Sequence, residues 1–346
     1  MIDYLARLDE KKQQLDRLRP LPADFLTSLD EWFRVELTYT SNALEGNTLS
    51  RNETALVVEK GITVAGKTLR EHLEAVNHAD ALDYIKSLAG KSRSAIKEST
   101  IKDIQRLILA RIDDQNAGRY RRVPVRIAGS TVSLPDPIIV PELMEKFITW
   151  LHGNETAHPA TFAAQAHHRL VSIHPFTDGN GRTARLLMNL ILTQEGFPPA
   201  VIRKQDRLRY IDSIEKAQLG GSLDSFLELV YEAIQRSLDI YLDTAVKILP
   251  LTDEPDMRVR DGRKTKEAVS LVKIGELARR SGEAVHTIRF WTKEGLLEVK
   301  AHTPGGYQLY DPAALQRIKE IRRLQKENRL TLAEIRDYLK YRHAAE

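Results

Sequence analysis

Twelve consecutive residues, His174-Pro175-Phe176-Thr177-Asp178-Gly179-Asn180-Gly181-Arg182-Thr183-Ala184-Arg185, bring together a base, a carboxylate, two glycines and two arginines. A glycine-rich loop that opens a helix presents free backbone N–H groups and the positive end of the helix dipole, which together cradle an anion. Arg182 and Arg185 are three apart and project from the first turn on neighbouring faces, so both can reach one polyphosphate. Asp178 can hold a magnesium ion, which takes one or two protein carboxylates and fills its shell with phosphate and water oxygens. His174 can accept a proton from an incoming hydroxyl, because imidazole titrates near neutral pH. Base, metal ligand, anion cradle and charge neutralisers are the components of transfer at a phosphorus centre.

The surrounding elements must hold that loop between two helices. Pro175 disfavours helix at the loop start, and apolar residues at helical spacing run over 161–173 before it and 182–195 after it. The same periodicity predicts helices over 25–39, 69–88, 101–112, 142–152, 207–218 and 223–249, with a surface helix over residues 1–20. Tyr120 to Leu134 differs: Val123, Val125 and Ile127 alternate with polar positions, Gly129-Ser130 supplies a turn, and Val132 and Leu134 resume the alternation, predicting a β-hairpin. The fold class is therefore mainly α with one hairpin.

The eight specified positions of His-x-Phe-x-Asp-Gly-Asn-Gly-Arg-x-x-Arg would coincide by chance in a chain of this length on the order of once in 10⁸. The segment resembles the Fic signature H-x-F-x-[DE]-G-N-G-R-x-x-R at every specified position, and the resemblance extends over roughly residues 20–245. It implies a helical Fic core that transfers AMP from ATP to a hydroxyl side chain (Ser, Thr or Tyr) of a target protein. It also implies roles. His174 is the general base, Asp178 binds Mg2+, Gly179, Asn180, Gly181 and Arg182 form the anion hole, and Arg182 and Arg185 hold the β- and γ-phosphates. Phe176 is expected to pack and anchor the loop. The hairpin takes the place of the family's flap, an edge on which the target backbone lies by strand addition. Tyr210 and Gln218 stand where Fic proteins contact the adenine. His158, His167 and His168 are not read as a metal cluster, because the last two are adjacent and would face different ways on a helix.

Upstream, Ser41-x-x-x-Glu45-Gly46 is similar to the Fic inhibitory pattern [ST]-x-x-x-E-[GN]. The resemblance implies that Glu45 sits on Arg185 and takes the charge that the γ-phosphate of ATP needs.

Residues 250–268 carry two prolines, a glycine and ten charges with little apolar periodicity, and read as a linker between residues 1–249 and 269–346. Residues 269–346 hold 15 Lys+Arg against 10 Asp+Glu, the linker five of each, and the first 249 residues 32 against 33, so the excess of the formal +4 net charge lies in the C-terminal piece. There, Ile274-Gly275-Glu276-Leu277-Ala278, Thr287-Ile288-Arg289-Phe290, Glu294-Gly295-Leu296-Leu297 and Gly306-Tyr307-Gln308-Leu309-Tyr310 resemble, in order, the winged helix-turn-helix of the MerR family. That implies DNA contacts from Thr287 and Arg289. Gln308 replaces the usual phosphate-contacting arginine, and the sequence stops soon after Tyr341 without the long MerR dimer helix, so weak DNA binding is expected.

The absence of cysteine excludes disulfides, thiolate metal sites and cysteine nucleophiles. No apolar run approaches the roughly 18–20 residues of a membrane span, and no signal peptide precedes the first helix, so a cytoplasmic protein without membrane contacts is expected. Two functions stay open. One is an autoinhibited protein AMPylase; the other is an ATP-sensing transcriptional regulator. Phosphoryl transfer from a flipped nucleotide is a variant of the first, and DNA and a second copy of the chain are further candidate partners.

Overall fold

The computed structural model describes residues 2–127, 129–153, 157–248, 271–302, 308–327 and 335. Two compact units divide the chain, Met1–Ile248 and Leu249–Glu346. The expected linker over 250–268 lies outside the described residues, as do Gly306, Tyr307 and residues 336–341.

The first unit is helical: α1 (Ile2–Arg17), α2 (Ala23–Leu44), α3 (Arg51–Lys60), α4 (Leu69–Leu88), α5 (Glu98–Leu109), α6 (Val140–Gly153), α7 (Pro159–Ile173), α8 (Asn180–Gln194), α9 (Arg207–Gln218) and α10 (Asp224–Ile248). The antiparallel pair α7 and α8 forms its centre. Leu186, Leu187, Met188, Leu190, Ile191 and Leu192 are all buried, so the middle of α8 is covered on every side by other elements. Around this pair lie α4 and α5 on α8, and α6 and α10 on α7. The amino-terminal helix α1 is more than a surface element. Leu8 and Leu15, seven apart and thus on one face, are buried along α10, and Lys11 pairs with Asp239.

Helix α3 was not expected from apolar periodicity. It starts on a capping box, with the Ser50 hydroxyl accepting from the Glu53 N–H and the Glu53 carboxylate accepting from the Ser50 N–H.

The expected hairpin over 120–134 is corrected in one respect. The chain turns there, with Gly129 at φ 77° and the Ser130 N–H donating to the Ile127 carbonyl at 3.1 Å. Among the described residues, however, no ladder joins its two arms. Pro124, which lacks a donor, sits in the middle of the first arm.

The second unit contains β1 (Val272–Lys273), α11 (Ile274–Ser281), α12 (Val285–Lys293), β2 (Ala301–His302), β3 (Gln308–Tyr310) and α13 (Ala314–Glu327). Its strands form an antiparallel sheet in the order β1-β3-β2, with Val272 opposite Tyr310 and Ala301 opposite Leu309. Trp291, Ile288, Leu277, Tyr310 and Ile321 fill its core. Gly282 at φ 73° ends α11 and makes the turn into α12. Among the described residues no helix is long and apolar enough to cross a membrane.

Candidate active site

The loop between α7 and α8 is fixed from within. His174 closes α7 in the left-handed region at φ 50°, ψ 59°, donating its N–H to the Leu170 carbonyl at 3.0 Å. Pro175 excludes the helical alternative for His174, and a non-glycine residue held there stores roughly 1–3 kcal/mol of strain, a feature typical of functional loops. Asn180 then locks the turn. Its Oδ1 accepts from the Phe176 N–H at 3.0 Å and its Nδ2 donates to the Phe176 carbonyl at 2.9 Å. Phe176 is buried completely, its ring 5.7 Å from that of Tyr120. Gly179 begins α8 at φ 81°, and a Cβ there would press on Ile108 Cγ2 at 3.4 Å.

The first turn of α8 forms the cradle. The N–H groups of Asn180, Gly181 and Arg182 belong to the helix start and have no intrahelical acceptor. Arg182 is buried, yet its Nε and Nη1 make no hydrogen bond; its nearest anions are Glu74 at 3.7 Å from Nη1 and Asp178 at 3.4 Å from Nη2. Buried guanidinium donors without acceptors are costly, so this site is built for an anion.

An anion from this chain already stands there. Glu45 follows α2 directly, and Gly46 at φ 99° ends the helix so that the carboxylate projects from its tip. Glu45 Oε1 accepts from Arg185 Nη2 at 2.6 Å and lies 2.5 Å from where a Cβ on Gly181 would be. Arg185 has three further partners: Nε donates to Ser41 Oγ at 3.0 Å, Nη2 to the Ser41 carbonyl at 3.0 Å, and Nη1 to the Tyr210 hydroxyl at 3.1 Å. Desolvation raises the affinity of Glu45 for a proton, but Arg185 and then Arg182 outweigh it and hold the carboxyl below its ordinary value. Glu45 is thus an anion bound to Arg185, with the charge of Arg182 adding to its field.

His174 Nδ1 is buried, which leaves Nε2 to meet a substrate. Burial pushes the imidazole below its ordinary value, with the Val171 carbonyl opposing. A base must be neutral to accept a proton, and a lowered pKa keeps it neutral to lower pH. The acid limb of a kcat/KM profile should therefore fall below the ordinary imidazole range of about 6.5. A limb at or above that value, measured from pH 5 to 8, would remove His174 as the titrating base.

Asp178 is 46% exposed at its side chain, accepts from the Gly179 N–H at 2.6 Å and pairs with Arg70 at 3.1 Å. Among the described residues no group of three or more acidic or histidine side chains gathers as a metal site. A cation here would rest on this single carboxylate plus phosphate and water oxygens, a donor set that suits Mg2+.

Residues 95–192 match the Fic/DOC family, and residues 272–342 match the MerR HTH family regulatory proteins. The solved structure of C. elegans Fic-1 is 34% identical with a TM-score of 0.62, covering 68% of this chain and 71% of that one. The chain belongs to the Fic family. A Fic domain containing signaling protein from Bacteroides thetaiotaomicron is 29% identical with a TM-score of 0.64, covering 69% of this chain and 97% of that one. The protein adenylyltransferase Fic of Nematostella vectensis is 37% identical over 270 residues, covering 77% of this chain; the chain spans 61% of that relative's length.

The signature residues lie together, and three of the residues expected to contact nucleotide have partners within the chain. Tyr210, expected at the adenine, is buried at 6% exposure, its hydroxyl held between Arg185 and His167 Nε2 (2.8 Å). It braces the arginine. Gln218 is committed to the end of α7, its Nε2 donating to the Val171 carbonyl at 3.3 Å and to Ser172 Oγ at 3.4 Å. The Asn180 side chain shapes the cradle by closing the loop, leaving its backbone amide as its contribution to an anion hole. Arg70, Glu74 and Arg121 also border this loop without having been singled out, and His167, read only as no part of a metal cluster, backs Tyr210. Arg121 ties the flap to the loop: its N–H donates to the Pro175 carbonyl at 2.9 Å, its Nε to the His174 carbonyl at 2.8 Å and its Nη2 to the Pro135 carbonyl at 2.5 Å. None of them belongs to a local motif. In the second unit, Thr287 is half-buried on α12 and Arg289 is exposed, next to Phe290 at 48% exposure.

Proposed function

We propose that this chain is a protein AMPylase that restrains itself through Glu45. The observation that carries the reading is the cradle: Arg182 is buried with unsatisfied donors, and Arg185, one turn along α8, is already paired with a carboxylate of this chain. His174 Nε2 takes the proton of a target Ser, Thr or Tyr hydroxyl. The hydroxyl oxygen forms a bond to the α-phosphorus of ATP as the bond to the β-phosphate oxygen breaks, and pyrophosphate leaves. Arg182, the α8 amides and Arg185 stabilise the charge on the β- and γ-phosphates. Asp178 would hold Mg2+, which neutralises phosphate charge when bound. Residues 120–134 form an edge for the target backbone. Glu45 occupies Arg185, so ATP binds without aligning its α-phosphate. Intact mass spectrometry of the chain and its acceptors with ATP and Mg2+ tests this. An added adenylate supports it; an added phosphate would replace it with phosphoryl transfer, and no adduct in the Glu45→Gly chain would favour ATP sensing alone.

The MerR match and the exposed Arg289 favour a second activity for residues 269–346, beyond a 250–268 linker: binding DNA. Full-length chain should bind duplex DNA weakly, losing affinity steeply as salt rises. Arg289→Ala should reduce affinity by roughly tenfold, the effect of one lost base or phosphate contact. Salt-independent retention, or an unaltered Arg289→Ala isotherm, would assign the unit to protein contacts.

A further inference from the structure

Arg70, on the first turn of α4, reaches the carboxylate assigned to the metal. Its Nη2 donates to Asp178 Oδ2 at 3.1 Å and its Nε to Glu74 Oε1 at 3.2 Å. Asp178 Oδ1 is engaged as well, accepting from the Gly179 N–H at 2.6 Å and lying 3.4 Å from Arg182 Nη2. Both oxygens of Asp178 therefore already face donors of this chain.

Four charges close into a ring. Arg70 and Glu74 are four apart on α4, Asp178 and Arg182 are four apart at the start of α8, and Glu74 Oε1 lies 3.7 Å from Arg182 Nη1. The members differ in freedom. The side chains of Arg182 and Glu74 are only 3% and 13% exposed, and Glu74 Oε2 is fixed by Asn47 Nδ2 at 2.9 Å. Arg70 and Asp178 are 59% and 46% exposed. Arg70 is thus the cation that can swing away, and Glu74, already bonded to its Nε, gives it a second anchor.

A divalent cation needs a bare carboxylate oxygen, and a guanidinium on that oxygen both blocks it and repels the ion. Oδ1 is tied to the backbone of its own loop, so Oδ2 is the oxygen to be freed, and among the described residues Arg70 is what holds it. We propose that Arg70 is a placeholder for the metal: it occupies Asp178 Oδ2 and must withdraw before Mg2+ is held there, so this residue sets the Mg2+ demand of the site. The inference rests on the reading of Asp178 as the metal ligand. An exposed ion pair is worth at most about fivefold in an equilibrium constant, so the placeholder is firm enough to be measured and weak enough to be displaced.

The test uses the full-length chain and a fluorescent ATP analogue with a methylene group between its α- and β-phosphorus atoms, which binds without transfer. Anisotropy reads its affinity in EDTA and as Mg2+ is raised. Binding of Mg2+ by the free nucleotide is the same for every variant and cancels in the comparison. In Arg70→Gln the analogue should bind roughly three- to tenfold tighter in Mg2+, through loss of the ion pair and of a neighbouring like charge, and stay within about twofold of wild type in EDTA. Being exposed, Arg70 can be replaced without disturbing the core. Asp178→Asn should lose the gain in affinity that Mg2+ brings, and adding Arg70→Gln should then change nothing. Analogue binding in Mg2+ that is unchanged or weaker in Arg70→Gln would overturn the proposal, the weaker case making Arg70 a phosphate contact. An Arg70→Gln effect that persists without Asp178 would overturn it too. If Asp178→Asn keeps the full Mg2+ gain, the metal reading of Asp178 falls and this inference with it; if the gain is lost there but Arg70→Gln does not move it, this inference falls alone.

Discussion

Replacing Glu45 with glycine should raise AMP incorporation about ten- to a hundredfold, with little change in the KM for ATP. The range is that of one charge-assisted hydrogen bond of about 1.5–3 kcal/mol that the nucleotide no longer has to displace. The variant should fold, because Arg185 retains Ser41 Oγ, the Ser41 carbonyl and the Tyr210 hydroxyl as acceptors when Glu45 is gone. Those three bonds hold the guanidinium in place with one edge open, ready for the γ-phosphate. The gain should appear in kcat, since the carboxylate competes for alignment within the bound complex. Arg185→Ala in the same chain should cancel the gain. Incorporation of labelled adenylate from α-labelled ATP, compared among wild type, Glu45→Gly and the double variant, decides it. A Glu45→Gly chain no faster than wild type would mean that the Glu45–Arg185 pair is structural.

His174→Ala should lower transfer by about 10² to 10⁴, the usual contribution of a positioned general base, while ATP binding stays near wild type. The loss should be measured in the Glu45→Gly background, where activity is high enough for such a drop to be read. Alanine also relieves little of the strain at φ 50°, so the loop should keep its shape and melting should shift little. His174→Gly, which suits the left-handed backbone better than alanine, separates the two contributions. If it were active and alanine were not, the histidine would matter for its backbone and not for its imidazole.

Two kinds of information meet in this site, and they came from different places. The local sequence determined the loop. His174, Pro175 and Gly179 act on their own φ angles and on their immediate neighbours, so their order along the chain is enough to predict a glycine-rich turn feeding a helix. Helix α5, expected over 101–112, was legible from the sequence as well, its buried Ile101, Ile104, Ile108 and Leu109 recurring at helical spacing. Helix α3 was legible in principle from Ser50-x-x-Glu53 but not from periodicity, because few of its residues are buried. The flap was read as a hairpin from alternation alone, and alternation records which side of an extended chain faces inward, not whether its edge finds a partner.

The tertiary structure decided the partners. Glu45 and Arg185 are 140 positions apart, and their meeting depends on α2 crossing α8 with Ser41 one turn before the carboxylate. Tyr210 was expected at the adenine from the Fic resemblance; its hydroxyl lies between Arg185 and His167 because the turn of α9 that carries it faces α7. Arg121 likewise acquired its duties from chain segments far away in sequence. Spacing along a chain fixes which residues share a turn or a face. Which buried donor meets which acceptor is settled only when whole helices pack, since every polar group taken out of water must then find its match.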